Sequence, residues 1–586
     1  MMKVRDFFAV RQNQIFGGLL VLYFLIAGFL MFNQSITTDE PAHLGAGLAY
    51  MYGWGLNPEH PLLLKFFSGL LIFIFTPFLP QSREQYGIGY ELFFNSGYNP
   101  NLLLFLGRLP YLLFNSLLVI YLLVGSFKKY FGQSFAIIFA FLYIFSTTLS
   151  PFASLSIFDV AGATSALIFI SLIYIFQKKL DGGLLISNRF LWALSLVGFT
   201  SVNIKFTNIL VLGLIPLLLI FNLNKIDKLK SIFKYIGIQI ITLLIGIYIL
   251  NGFCYRSLQA STYTSYYEFN FKIRSTVYDI VIPPTKYEII YKPFLIYLKG
   301  LQMSFMRSND LSNTFFIDKY IPDTFGTLVT RVLPLKENPL LVLLLPLGFI
   351  FGLWQTLKNY KNWNFLKSST LLIFVPVIYI VASFGSKLAI GLRHFDLAVL
   401  AGYALVAYTI SKFFVNRWLI AVLLGVYIIF SLPMLYSGIG YSNIFWMKDS
   451  YLLASDSTMN WGQNAKKPVE FLVKNNLISD YYNPNELASD FCCSPDLTAL
   501  TLEFVRPGNQ GNKSYKGSTV NPDIANKPLQ DNPAKYLIID GNTLQFMIHH
   551  ANQKSNEAVI KNLALLKSKP IIYNYVDQVF VYQLRD

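Results

Sequence analysis

Residues 14–45 read QIFGGLLVLYFLIAGFLMFNQSITTDEPAHLG. The first part, residues 14–33, is an uncharged apolar run of about 20 residues, which is long enough to cross a bilayer as one helix. Asp39 and Glu40 follow at the point where that helix would leave the membrane. Ionisable side chains at such a position are costly unless they serve a function. This junction therefore predicts a membrane protein and marks its first candidate functional residues.

The composition agrees with a membrane location. The chain has 586 residues, of which 54% are hydrophobic and only 13% charged, against about 25% charged residues in typical soluble domains. Its net charge of +16 lies largely in short connectors between apolar runs, and no basic stripe is interleaved with aromatic residues. We therefore expect no nucleic-acid partner. The three cysteines, Cys254, Cys492 and Cys493, lack the spacing of a disulfide framework or a zinc site.

The apolar runs predict an all-α polytopic bundle with about 11 transmembrane helices. Lys3, Arg5 and Arg11 precede the first run, and no small-residue cleavage site follows it, so we expect an uncleaved first helix. The predicted spans lie near residues 14–33, 107–126, 133–150, 158–177, 189–204, 207–223, 235–253, 337–356, 369–384, 394–411 and 417–437.

The charges of the connectors predict the orientation. Every connector that alternation assigns to the cytoplasm is cationic, which is the positive-inside pattern. We therefore expect a multi-pass protein of the cell (plasma or inner) membrane, with its N-terminus in the cytoplasm and its C-terminus outside. The cations are Lys128, Lys129, Lys178, Lys179, Arg189, Lys225, Lys228, Lys230, Lys234, Lys358, Lys361, Lys367, Lys412 and Arg417.

Three long segments then fall outside the membrane, near residues 34–106, 254–336 and 438–586. Residues 62–79 are apolar, but counting them as a span would invert every later connector against the charge rule. We expect an interfacial helix there. We therefore expect two domains, a transmembrane domain, 1–437, and a small extracytoplasmic α/β domain, 438–586. In the second domain we expect strands at 535–540, 571–575 and 578–583, and helices at 465–475 and 555–567.

Charged residues of both signs collect at the outer ends of the predicted spans. Carboxylates can deprotonate a hydroxyl group or hold a metal, and Lys and Arg can neutralise a phosphate. The set predicts a cavity for group transfer from or to a lipid phosphate. For a single Lys or Arg, an ordinary interfacial anchor is an equally good interpretation. The candidates are Asp39, Glu40, Glu59, His60, Lys65, Arg108, Asp159, Lys205, Arg256, Arg393, His394 and Asp396.

Several motifs, in this order, resemble the GT-C superfamily of polyprenyl-phosphate-sugar-dependent glycosyltransferases. The resemblance is to the branch that holds protein O-mannosyltransferases and lipid A aminoarabinose transferases. The motifs are TTDEPAHLGAGLAY (37–50), NPEHPLLLKFFSGL (57–70), GRLPYLLF (107–114), SPFASLSIFDVAGA (150–163), SVNIKFTNILVL (201–212), GLRHFDLAVLAGYAL (391–405) and DSTMNWGQNAKKPVEFLVKN (456–475).

The resemblance implies an inverting glycosyltransferase that moves one sugar from a polyprenyl-monophosphate donor to a hydroxyl acceptor on protein, glycan or lipid. It implies that Asp39 is the catalytic base and that Glu40 supports it. It also implies that Asp159 matches an acidic residue of the second outer loop and that Lys205 meets the carrier phosphate. We add Arg108, Arg256, Arg393, His394 and Lys65 as candidate substrate-binding residues.

Some alternatives stay open at this stage. Glu59 falls where the aminoarabinose transferases have Glu-Lys-Pro, but His60 replaces the Lys. The pair could hold a divalent metal, although two adjacent ligands do not make a metal site; no other cofactor is indicated. The alternative functions are an oligosaccharide ligase or polymerase with a lipid-linked donor, a secondary transporter, and a non-catalytic receptor or assembly protein. A transporter is disfavoured because the chain shows no internal repeat.

Overall fold

The computed structural model describes most of the helical bundle and the end of the chain. The described residues are 12–124, 126–220, 222–223, 225–257, 268–273, 276–281, 287–307, 313–316, 319–322, 328–358, 377–378, 381, 391–413, 416–443, 445, 449–453, 459–478, 487–490 and 527–586. The predicted span at 369–384 lies almost wholly outside these residues, as do Cys492 and Cys493.

The described chain is dominated by α-helices, which we number in chain order. They are α1 (Gln12–Asn33), α2 (Glu40–Met51), α3 (Leu63–Phe75), α4 (Gln85–Asn95), α5 (Pro100–Val124), α6 (Ser126–Phe131), α7 (Gln133–Ile144), α8 (Ser150–Ala153), α9 (Asp159–Asp181), α10 (Asn188–Ile204), α11 (Ile209–Leu212), α12 (Leu214–Ile220), α13 (Ile226–Cys254), α14 (Glu288–Arg307), α15 (Leu333–Lys336), α16 (Pro339–Lys358), α17 (Asp396–Phe413), α18 (Arg417–Ser431), α19 (Pro433–Ser437), α20 (Lys466–Lys474), α21 (Gly541–Gln553) and α22 (Glu557–Ser568).

Six helical stretches are long and apolar enough to cross a membrane, and four more are apolar but shorter. The long ones are Gln14–Asn33, Pro100–Ile120, Asp159–Asp181, Ile226–Cys254, Leu392–Phe413 and Trp418–Gly440. The shorter ones are Leu63–Phe75, Gln133–Ile144, Phe206–Ile220 and Pro339–Gln355. The prediction of a polytopic helical bundle is therefore confirmed.

Several predicted spans differ in their ends or continuity from the helices observed. The run at 133–150 is helical only to Ile144, because Ser146, Thr147 and Thr148 follow it and their side chains bind other groups of the bundle. The run at 207–223 is divided into a short 3₁₀ turn and the helices α11 and α12, with Gly213 between the last two. A run of apolar residues does not show where a helix ends or where a glycine interrupts it.

Helices α2, α3 and α4 form a compact layer beside the bundle. Helix α3, predicted to be interfacial, has 13 residues and a length of about 20 Å, which is too short for a hydrocarbon core of about 30 Å. A Cβ atom at Gly69 would lie 1.9 Å from the Gly47 oxygen, and one at Gly45 would lie 2.1 Å from the Gln85 oxygen. These glycines bring α2 into backbone contact with both neighbours, which fixes the start of α2.

The eight described strands fall in two parts of the chain, residues 268–322 and 487–583. Strands β1 (Glu268–Ile273) and β2 (Thr276–Val281) pair antiparallel, as do β3 (Asn313–Phe316) and β4 (Lys319–Pro322). A four-stranded sheet has the order β5-β6-β8-β7, with β5 (Leu487–Asp490), β6 (Tyr536–Asp540), β7 (Ile571–Tyr575) and β8 (Val579–Gln583). Only the β5–β6 pair is parallel.

Helices α21 and α22 pack with this sheet around a small apolar core. The structure confirms the strands predicted at 535–540, 571–575 and 578–583, as β6, β7 and β8. It also confirms the predicted helices at 465–475 and 555–567, as α20 and α22. The end of the chain thus mixes helices and strands, as its alternating and helical patterns indicate.

The segment before α20 lies along the connection between α1 and α2. Ser35 N donates to the Gln463 oxygen at 2.8 Å, and Thr38 N donates to the Trp461 oxygen at 3.1 Å. Lys466 N donates to Ser35 Oγ at 2.6 Å. The residues that lead to Asp39 are therefore held by a part of the chain more than 400 positions later.

Candidate functional site

Asp39 precedes the first residue of α2. An aspartate at this position usually accepts a hydrogen bond from the helix N-terminus, but the Asp39 side chain makes no such capping bond. One carboxylate oxygen, Oδ1, instead accepts from Tyr86 Oη at 3.4 Å, and Oδ2 lies 3.5 Å from Nη2 of Arg393. The side chain is 32% exposed. Asp39 thus presents a solvent-accessible carboxylate beside a cation.

Glu40 has the opposite environment, since its side chain is fully buried. Arg108 donates from Nε to Oε1 at 2.8 Å and from Nη2 to Oε2 at 2.7 Å, which is a bidentate pair. The backbone N–H groups of Ser156 and Thr37 add bonds of 2.9 and 2.8 Å. Glu40 therefore ties α2 to α5 and to the connection before α9.

Arg108 is saturated by protein acceptors. Besides Glu40, it donates to the main-chain oxygens of Met31, Gln34 and Ser35 at 2.6, 3.0 and 2.6 Å. These bonds use all five guanidinium hydrogens. The sequence prediction that Arg108 binds substrate therefore does not fit its geometry, and we describe it as the residue that holds Glu40 and the exit of α1.

The ionisation of Glu40 follows from these contacts. Burial alone raises the pKa of this carboxyl, but the charge and hydrogen bonds of Arg108 and the backbone bonds from Ser156 and Thr37 outweigh burial. The net effect is a pKa below the usual value of 4.5. Glu40 is thus held as a carboxylate.

Asp159 and Lys205 form a second buried pair next to the first. Asp159 opens α9, Lys205 follows the end of α10, and Lys205 Nζ lies 2.7 Å from Asp159 Oδ1. Gly162, one turn into α9, makes room for this pair: a Cβ atom there would lie 2.7 Å from Lys205 Cβ and 2.9 Å from its Cδ. The two residues predicted from distant sequence positions are therefore brought into direct contact.

Arg393 lies between the two acids. Its Nη2 is 3.5 Å from Asp39 Oδ2, and its Nη1 is 3.8 Å from Asp159 Oδ2. The guanidinium carbon lies 3.8 Å from the centre of the Trp461 ring. His394, next in the same short 3₁₀ helix, places Nδ1 3.9 Å from Asp159 Oδ1. Two carboxylates and three potential cations are thus assembled at one place.

Helix termini add to the electrostatics of this place. Glu40, Asp159 and Asp396 are the first residues of α2, α9 and α17. The positive ends of helix dipoles favour negative charge, so they support these acids and would also favour a bound anion. Asp396 is fully buried, and neither of its carboxylate oxygens has a hydrogen-bond partner among the described residues.

Lys65 holds the loop that carries Glu59 and His60. Its Nζ donates to the main-chain oxygens of Asn57 and His60, each at 3.0 Å. Burial lowers the pKa of Lys65 to about 7, partly offset by the negative charge of Glu59. With its hydrogens on main-chain oxygens, Lys65 shapes the loop, which differs from the predicted substrate contact.

The predicted metal pair remains a pair. Glu59 Oε1 lies 3.5 Å from His60 Nε2, and the described residues include no group of three or more His, Cys, Asp or Glu side chains that could hold a metal. The His60 ring packs against Phe158 and His43, with ring centres 4.7 and 5.5 Å apart. Among the described residues, Glu59 and His60 are therefore two adjacent side chains without a third metal ligand.

Arg256 lies at the other end of α2. It donates to the main-chain oxygens of Tyr50, at 3.2 Å, and of Met51, and its guanidinium carbon lies 4.2 Å from the centre of the Phe253 ring. Cations at a helix C-terminus satisfy the last carbonyl groups and the helix dipole. The structure therefore places Arg256 away from Asp39, with a clear role in capping α2.

The sequence analysis did not select Trp461 as a site residue, although it quoted the segment that contains it. A tryptophan in a polar segment after the last span carries no chemical signal by itself. Tyr86 was missed for the same reason. Asp396 was noted as a membrane-edge charge without a role, and nothing in its neighbourhood of sequence indicates that it is fully buried beside Arg393.

The fold and the charged cluster define this chain as a multi-pass helical membrane protein with a polar cluster at one end of its bundle. No family model matches the sequence, and no curated protein matches it. A structural likeness is found to the crystal structure of ArnT from Cupriavidus metallidurans bound to undecaprenyl phosphate. It covers 98% of both chains at 10% identity, with a TM-score of 0.30. That score is too low to assign a function, which must rest on the residues of this chain.

Proposed function

We propose that this protein is an inverting glycosyltransferase that moves a single sugar from a polyprenyl-monophosphate donor to a hydroxyl acceptor at the outer face of the membrane. The observation that carries the proposal is the position of Arg393, which links the accessible carboxylate of Asp39 to the buried Asp159–Lys205 pair. The proposed base, Asp39, and the proposed phosphate-binding cation, Arg393, are thus adjacent. The motifs shared with the GT-C superfamily agree with this chemistry.

In the proposed reaction, Asp39 accepts the proton of the acceptor hydroxyl as its oxygen attacks the anomeric carbon. The bond from that carbon to the phosphate oxygen breaks, and the electron pair leaves with the phosphate. Attack from the face opposite the phosphate inverts the anomeric configuration, as in the base half of an inverting glycosidase. A phosphate is a good leaving group, so the step needs no general acid.

The cations act on the leaving group. The donor phosphodiester carries one negative charge and the released phosphate carries two, so negative charge grows on the phosphate during the step. Lys205, Arg393 and His394 are the groups placed to stabilise it. The distances from Arg393 to both acids exceed the usual hydrogen-bond range of about 2.7–3.2 Å. Arg393 can therefore exchange a carboxylate for a phosphate oxygen.

The outer face is proposed from the charge pattern. The site lies at the ends of the spans opposite to the cationic connectors, such as those with Lys128 and Lys412, which the positive-inside rule places in the cytoplasm. The same argument puts the sheet of residues 487–583 outside. The test uses two variants with one cysteine each, Lys561→Cys and Lys228→Cys, in intact cells. The proposal requires an impermeant thiol reagent to label the first variant and not the second.

The main experiment tests donor and base together. Membranes containing the full chain, which also supply the endogenous acceptors, are incubated with synthetic undecaprenyl-monophosphate sugars, and release of the carrier phosphate is measured by mass spectrometry. We expect release with the wild type and a loss of about 10²–10⁴-fold with Asp39→Asn. Asp181→Asn is the matched control, since Asp181 pairs with Lys228 at the opposite end of α9.

Two results would contradict the proposal. Normal turnover by Asp39→Asn would exclude this residue as the base. Consumption of pyrophosphate-linked sugars and not of monophosphate-linked ones by the wild type would replace the single-sugar transferase with a ligase or polymerase. The acceptor is then identified by comparing the envelope glycans, glycoproteins and lipids of cells with wild type and with Asp39→Asn.

A further inference from the structure

The Arg393 guanidinium lies over the face of the Trp461 ring. The guanidinium carbon lies 3.8 Å from the ring centre, and both residues are more than nine-tenths buried. The two carboxylates lie at 3.5 and 3.8 Å from its nitrogens, and Nε has no hydrogen-bond partner among the described residues. Among the described residues no short hydrogen bond holds this cation, which lies against the indole face and between the two carboxylates.

Trp461 is itself fixed independently of Arg393. Its main-chain oxygen accepts from Thr38 N at 3.1 Å and from Thr38 Oγ1 at 3.4 Å, and its main-chain N–H donates to Gln463 Oε1 at 2.6 Å. The ring is also near Phe152, with ring centres 6.4 Å apart. The indole is thus held by main-chain bonds to the residue next to Asp39, and these bonds do not depend on the side chain at position 461.

From this geometry we propose that Trp461 is a positioning residue, which holds the Arg393 guanidinium between Asp39 and Asp159 for the donor phosphate. The segment after the last helix of the bundle therefore completes the site. An aromatic face holds a cation without directional bonds, so the guanidinium can turn in its plane from a carboxylate to a phosphate oxygen while it stays stacked. This inference rests on the proposed function.

The test compares Trp461→Leu with Trp461→Phe. Leucine fills apolar space but has no aromatic face, whereas phenylalanine keeps the face. If stacking positions Arg393 for the charge that grows on phosphate, Trp461→Leu lowers kcat by about 10- to 30-fold with a smaller change in the donor KM. Trp461→Phe recovers most of kcat. A merely structural role predicts the same loss in both variants, in step with a lower unfolding temperature.

The matched control is Trp54→Leu. Arg83 stacks on Trp54 with its guanidinium carbon 3.6 Å from the ring centre, so the substitution removes the same kind of contact from the same protein outside the site. We expect kcat of Trp54→Leu to stay within about twofold of the wild type. A comparable loss there would assign the Trp461 effect to general loosening and overturn the inference.

A double-variant cycle supplies the deciding result. If Trp461 acts through Arg393, then Trp461→Leu has little further effect on kcat in an Arg393→Met background, because the cation that it positions is absent. If the fold-losses of kcat caused by the two substitutions multiply in the double variant, the inference is wrong. It is also wrong if Trp461→Leu turns over the monophosphate donor as fast as the wild type does. If the wild type itself does not consume that donor, the proposed function fails and this inference falls with it.

Discussion

Arg108 donates hydrogen bonds to both carboxylate oxygens of Glu40, at 2.8 and 2.7 Å, and both side chains are almost fully buried. Breaking one partner of such a pair leaves a buried charge without compensation. We expect Arg108→Met to lower the free energy of unfolding by about 3–5 kcal/mol. The measurement is thermal unfolding in detergent followed by size-exclusion fluorescence.

The double variant Arg108→Met with Glu40→Gln is the control for the pair. It removes both charges, and replacing a whole buried pair is commonly far less harmful than breaking it. We therefore expect the double variant to unfold at a higher temperature than Arg108→Met alone. If the two variants unfold together, the guanidinium contributes through its main-chain bonds and not through Glu40.

Acid should weaken the wild type through the same carboxyl. The folded state holds the pKa of Glu40 below its usual 4.5, so the pair contributes its full stabilisation above about that pH and loses it as the pH falls through the lower folded value. Unfolding temperatures recorded from pH 7 to pH 3 should fall for the wild type below pH 4.5, and fall less for Glu40→Gln. Glu557→Gln, at an exposed carboxylate, should follow the wild type.

The chemical types in this site could be predicted from the sequence, because carboxylates and cations at membrane edges are rare and therefore informative. Asp39, Asp159, Lys205 and Arg393 were all selected in this way, and the structure brings them together. The sequence does not indicate which way each of these side chains points. Nothing in the dipeptide Asp39-Glu40 says that one side chain is exposed and the other buried.

The remaining differences have the same physical origin. In the sequence, Arg108 and Arg256 are arginines at a membrane edge, as Arg393 is. In the structure, they donate hydrogen bonds to main-chain oxygens of residues far away in sequence, such as Met31 and Met51. Every residue has a main-chain oxygen, so the sequence does not indicate which of them accept hydrogen bonds from an arginine. The bundle itself was predictable because hydropathy is a local property, whereas the breaks after Ile144 and at Gly213 depend on tertiary contacts.

The small size of residue 162 is required by the Asp159–Lys205 contact. A side chain on Gly162 would collide with Lys205 near its backbone, at 2.7 Å from Cβ, where the lysine cannot move away by rotating its end. We expect Gly162→Val to displace Nζ from Asp159 and to lower turnover of the monophosphate donor by about 10²-fold. Gly237→Ala is the control, since a Cβ atom there would meet nothing within 4 Å. Equal activities of the two variants would contradict the requirement for a small residue at position 162.

Arg256 should matter for stability and not for the donor. It bonds the last carbonyl groups of α2, at Tyr50 and Met51, so Arg256→Met should lower the free energy of unfolding by about 1 kcal/mol. Its donor KM and kcat should equal those of the wild type. Arg393→Met, measured beside it, should show the reverse: little change in unfolding temperature and a large loss of kcat. A raised donor KM in Arg256→Met would instead return Arg256 to the phosphate site, as the sequence first suggested, and would mean that the end of α2 approaches the substrate.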